Sequence, residues 1–170
     1  MKLDIRDVVI LPMLGAVMFA SKLLMELLPN IHLLGVLTIV YTLVYRSKAL
    51  IAIYLFVFAT GLYAGFALWW IPYLYVWTIL WGIVMLLPKN MPRRVAPIVY
   101  MIVCGLHGFL YGMLYAPAQA IMFGYDFEFM LAWIVAGIPF DLMHGISNLG
   151  FGVLVIPLVT VIKKTDKRLK

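Results

Sequence analysis

The chain has 170 residues, of which 66% are hydrophobic and 12% charged, with a formal net charge of +6 and one cysteine; its mean hydropathy is +1.08. Soluble domains carry about 25% charged residues, so this composition excludes an ordinary soluble protein. The lone Cys104 excludes a disulfide framework or a cysteine metal cluster and reads as a buried, inert thiol.

Apolar residues come in blocks long enough to cross about 30 Å of hydrocarbon, not as the alternating segments of about ten residues that build an outer-membrane barrel. In chain order, the polar breaks leave spans at about 8–28, 33–45, 49–68, 73–88, 95–115 and 130–162. They predict an all-α membrane protein with a single domain over 1–170, folded as a six-transmembrane-helix bundle. The first block runs into further apolar sequence without a small-residue cleavage site, so a cleavable signal peptide is not expected. The second span is short for a crossing. The last is too long for one straight helix within hydrocarbon at about 1.5 Å per residue, and Pro139 offers it a place to bend or break.

The breaks alternate in charge. The start "MKLDIRD", the breaks "YRSK" and "KNMPRR" and the tail "KKTDKRLK" are basic, whereas "LPNIH", "WWIPY" and "APAQAIMFGYDFEF" hold no Lys or Arg. The positive-inside rule then puts both termini in the cytoplasm of a multi-pass cell-membrane protein. Every Lys and Arg except Lys22 falls on that side. The positive charge therefore expresses membrane orientation and contact with membrane lipid, and no nucleic-acid partner is expected.

Candidate site residues stand out because charge is costly in lipid. In "GAVMFASKLLMELLPNIH", Lys22 and Glu26 lie four residues apart on one helix face. Intramembrane ionisable residues face a bundle interior or a wet cavity, so this pair either ties helices together or lines an outward-opening pocket. In the fifth span, His107, Tyr111 and Tyr115 recur at steps of four and lead to Gln119 in the following loop; such rings with polar tips suit a planar ligand. In the last span, "PFDLMHGISN" sets Asp141, His144 and Asn148 on one face, where the structural alternative to a pocket is an interhelical bond such as His107 to Asp141. The connection "ALWWIPYLYVW" crowds Trp69, Trp70, Tyr73, Tyr75 and Trp77 around Pro72, either as an aromatic membrane belt or as a lid over a polar cup in which Trp69, Trp70 and Tyr73 bind substrate. Two histidines and one carboxylate on separate spans lack metal-ligand spacing, and no HExxH or GxSxG is present, so no metal, cofactor or catalytic residue is expected.

Three pairs of small residues at i and i+4 would admit close helix contacts: Ala16 with Ala20, Gly61 with Gly65, and Gly108 with Gly112. Six spans with cytoplasmic termini, the Ala16/Ala20 pair and the absence of any soluble motor domain resemble the S components of energy-coupling factor (ECF) transporters. The stretches "LPNIHLLGVLTIVYTLVYR", "GLYAGFALWWIPYLYVWTILWG" and "YAPAQA" carry the same likeness. The resemblance implies a substrate-capture subunit of an ATP-driven vitamin importer. It would take a small-molecule nutrient from outside, then dock through Ala16 and Ala20 to a transmembrane coupling subunit bearing two ATPase subunits, and topple to carry the site inward. No residue set matches the thiamin, biotin or riboflavin binders. A cup with both charge signs, imidazoles and rings suits a vitamin-like heteroaromatic nutrient such as a corrinoid, a deazapurine like queuosine, or a folate. Two other classes fit the same residues: a proton-coupled secondary carrier titrating at Lys22, Glu26 and Asp141, and an intramembrane enzyme using His107, Asp141 and His144 as acid and base.

Overall fold

A computed structural model describes residues 3–28 and 31–166. Residues 1–2 of the basic start, 29–30 of the "LPNIH" break and 167–170 of the basic tail lie outside the described residues. Among those described there is no strand. The chain forms α1 (Ile5–Leu24), α2 (Leu34–Tyr45), α3 (Ala49–Ala64), α4 (Tyr73–Leu86), α5 (Ala96–Phe109), α6 (Tyr111–Phe123), α7 (Phe127–Phe151) and α8 (Val155–Thr165), with short 3-10 turns between some of them. Five continuous helical stretches are long and apolar enough to cross a membrane: Ile5–Leu27, Leu34–Ala64, Leu68–Leu86, Ala96–Phe123 and Phe127–Thr165. Their outer faces are apolar too. On α1, Ile5, Val8, Val9, Met13 and Val17 are all exposed, a patch that water would not tolerate and that hydrocarbon covers without cost.

The start of α1 is fixed by a reciprocal cap. The Asp7 amide donates to Asp4 Oδ1 (2.8 Å) and the Asp4 amide to Asp7 Oδ2 (3.1 Å), which satisfies two of the free amides of the first turn. Lys48 Nζ reaches the same Asp7 carboxylate at 2.6 Å and ties this end of α1 to the turn before α3. Further along, a Cβ on Gly15 would meet the Ala52 carbonyl oxygen at 2.8 Å, so glycine is what lets α1 lie directly on α3.

The second stretch does not run straight. Arg46 has φ 53, a left-handed conformation that ends α2, and a 3-10 turn leads into α3. Tyr41 of α2 donates to the Leu14 carbonyl (3.3 Å), while Ala52 of α3 lies against the neighbouring Gly15, so residues a similar distance either side of the turn meet α1 at one level. The pair is a hairpin. Its turn is pinned to α4 twice: the Arg46 guanidinium donates to the Met85 carbonyl (3.2 Å), and the Arg46 carbonyl accepts from Trp81 Nε1 (3.1 Å). Every residue of α2 except Leu43 is buried, which makes this uniformly apolar helix the axis of the bundle.

Several boundaries differ from the sequence expectation. Glu26 belongs to a 3-10 turn beyond the end of α1, and "APAQAIMF" is helical, which puts Gln119 within α6 and not in a loop. The fifth span breaks at Leu110 and continues as α6. The helix α7 passes through Pro139 and ends at Phe151, where Gly152–Leu154 forms a 3-10 turn; the break thus falls at Gly152, which packs closely on the Met101 backbone, and not at the proline. Gly65 stands beyond the end of α3 at φ 86, so it makes the turn and does not pair with Gly61 in a helix contact. Cys104 is buried and free.

Candidate functional site

The break at Leu110 organises the site. Two helices meeting there leave the first amides of α6 without intrahelical partners. Asp141 of α7 supplies the acceptor: the Gly112 amide donates to its Oδ1 (2.9 Å) and Oδ2 (3.1 Å). A carboxylate at a helix N-terminus also meets the positive end of the helix dipole, which is how this buried acid is accommodated. The approach is close because α5 and α7 present glycine to each other; a Cβ on Gly108 would meet the His144 carbonyl oxygen at 2.7 Å. Asp141 therefore caps α6 and does not bond His107, contrary to the interhelical pair considered from sequence. His107 Nε2 is 3.1 Å from the Val76 carbonyl; since a carbonyl only accepts, Nε2 carries the hydrogen and Nδ1 holds a lone pair.

At this end of the bundle a cavity of about 420 Å³ is lined by Lys22, Met25, Glu26, Ile31, His32, Leu34, Trp69, Tyr73, Tyr111, Tyr115 and His144. The structure thus gathers Lys22, Glu26, Trp69, Tyr73, Tyr111, Tyr115 and His144 from four of the five apolar stretches. At the rim, Lys22 Nζ and Glu26 Oε1 form an ion pair at 2.6 Å, with the carboxylate side chain 45% exposed. Tyr115 donates to the Trp69 carbonyl and holds the aromatic turn over the cavity. A second hollow of about 380 Å³ shares Tyr111, Tyr115 and His144 and adds Trp133, Phe140 and Asp141.

The remaining predicted residues lie elsewhere. Trp70 donates Nε1 to the Val57 carbonyl (2.8 Å) and anchors the turn to α3. Gln119 sits one turn beyond Tyr115, outside the cavity wall. Asn148 is buried where α2, α5 and α7 meet, its amide against Gly35 and Gly108. His107 lies behind the wall, in ring contact with Trp77 and Tyr111 at 5.6 and 6.2 Å.

His32 was missed from sequence. It stands just before α2, its ring centroid 5.0 Å from His144 and 6.0 Å from Trp77. The one signal available was its place in the break "LPNIH" that follows the span carrying Lys22 and Glu26. Burial, reinforced by His144 and His107 nearby, pushes its pKa down to about 3, so the ring is neutral at physiological pH. Trp77 joins the cluster: it is 1% exposed and touches His32, Phe56, Tyr73, His107 and Tyr111.

This cluster is short of partners. His32 Nδ1, His107 Nδ1, His144 Nδ1 and Trp77 Nε1 are all buried without a hydrogen-bond partner. Native interiors seldom leave such groups unmet, since each costs about 1–3 kcal/mol. Of the four, His32 and His144 reach the cavity wall, where a guest with complementary donors and acceptors would satisfy them. Among the described residues, no three His, Cys, Asp or Glu side chains are placed to hold a metal ion. No family model, curated protein or solved structure matches this chain.

Proposed function

We propose that the chain captures a small polar, planar nutrient in this cavity and is the substrate-binding subunit of an ECF-type importer. The observation that carries the reading is the cavity itself, where two imidazoles with unmet Nδ1 atoms face an aromatic wall under a Lys22–Glu26 rim. Stacking on Tyr111, Tyr115 or Trp69 would hold a heteroaromatic ring, and neutral imidazoles would read its edge. A vitamin or vitamin-like molecule of the corrinoid, deazapurine or folate kind has those features.

In this reading the bundle crosses the cell membrane six times, because the Arg46 hairpin makes α2 and α3 separate crossings while α5 with α6, and α7 with α8, each make one. The helix α2 is only about 18 Å long at 1.5 Å per residue, but it is wrapped by protein and need not match the hydrocarbon thickness. Both termini are cytoplasmic and the cavity opens outward. Ala16 and Ala20 lie exposed on α1 and give a flat strip for the coupling subunit, whose two ATPases supply the energy.

The test is native mass spectrometry of the purified chain, looking for a retained small molecule without ATP. His144→Phe should lower its affinity about tenfold, the worth of one buried hydrogen bond. Ala16→Trp should spare retention yet abolish uptake by the assembled importer. Retention unchanged in His144→Phe, or uptake driven by the chain alone with a proton gradient, would sink the proposal.

A further inference from the structure

The opposite end of the bundle holds a larger cavity, about 580 Å³, whose mouth carries four cations: Arg46, Lys89, Arg93 and Lys163. They come from the α2–α3 turn, the α4–α5 connection and α8, which are distant in sequence and brought to one hollow by the fold. Among the described residues none of the four pairs with a carboxylate; the ion pairs found there are Lys22–Glu26 and Lys48–Asp7. Arg46 spends one donor on the Met85 carbonyl and keeps the rest of its planar fork free. Deeper in, Leu43, Ile156 and Val159 make the wall apolar.

We infer that this cavity binds an anionic phospholipid, with the phosphate among Arg46, Lys89, Arg93 and Lys163 and the upper acyl chain along Leu43, Ile156 and Val159. A small soluble anion would satisfy the cations but leave the apolar wall empty, and a neutral lipid would do the reverse. Only an amphiphile with a negative head uses both. Four unpaired like charges round one hollow also repel each other, and the lipid phosphate relieves that repulsion. The site is independent of the nutrient cavity, with which it shares no residue.

The test compares phosphatidylglycerol, phosphatidylcholine and inorganic phosphate as probes, titrated against the full chain in detergent and read by native mass spectrometry and thermal shift. Each basic side chain near a phosphate is worth about fivefold in affinity, so Lys89→Gln/Arg93→Gln/Lys163→Gln should bind phosphatidylglycerol roughly 100-fold more weakly. These side chains are exposed and their replacement leaves the core untouched. The control Arg6→Gln/Arg94→Gln/Lys164→Gln removes the same net charge outside the cavity and should bind as the parent does. Equal binding of phosphatidylcholine, equal losses in the two triple variants, or stabilisation by inorganic phosphate without phosphatidylglycerol binding would each overturn the assignment.

Discussion

The two ends of this bundle are built from similar apolar helices and hold opposite chemistry. At the histidine end, the one cation is matched by Glu26 and the unmet groups are neutral imidazole and indole nitrogens. At the basic end, the unmet groups are full charges lining the hollow. Neutral groups sunk in a ring-lined cavity recognise by shape and hydrogen-bond direction, because a mismatched partner leaves them unsatisfied. Exposed cations recognise by field, tolerate many geometries and weaken with salt. The difference shows how a membrane bundle can separate a selective pocket from an adhesive one without a second domain.

Substitutions can break that contrast in order of size. Trp77→Ala removes the buried hub on which the imidazoles rest and should destabilise the fold by about 4 kcal/mol, read as a lowered thermal midpoint. At low temperature the basic end of the same variant should still bind phosphatidylglycerol; loss of both together would show that the ends are not independent.

A smaller effect follows from His32. Its pKa is about 3 in the folded chain against 6.5 when unfolded, so the unfolded state takes up a proton first as pH falls. The stability that depends on its neutral form is complete above about pH 6.5 and is lost progressively towards about pH 3. A His32→Phe variant should match the parent's thermal midpoint above pH 7 to within a few degrees and outlast it increasingly below pH 6; parallel curves would show that His32 is not held neutral by burial. Smallest of all, Glu26→Gln breaks a partly exposed ion pair at i, i+4 and should cost only about 0.5 kcal/mol of stability. A larger loss would move this pair from the rim into the structural core of the histidine end.

Much of the architecture was open to inspection before folding. Hydropathy is a property of each residue, so the positions of the apolar blocks, their helical nature and the one-sided basic breaks could be read directly. Lys22 with Glu26, and Tyr111 with Tyr115, were found because helical spacing puts them on one face and they reach one cavity. The use of Asp141 was not legible, since its partner is the backbone amide of Gly112, freed only by a helix break at Leu110 that no residue type announces. Nor was His32, which joins His144 across more than a hundred residues.

What the amino-acid order determined by itself is therefore local: a helical chain suited to lipid, with breaks whose charge differs from one side to the other. Which helix is central, which carboxylate becomes a cap and which rings surround an empty space were decided by tertiary packing. The physical reason is that lipid offers no gradient to sort one apolar helix from another. Sorting falls to close approaches at Gly15, Gly108 and Gly112 and to polar groups that must find partners, and those exist only once the helices have met.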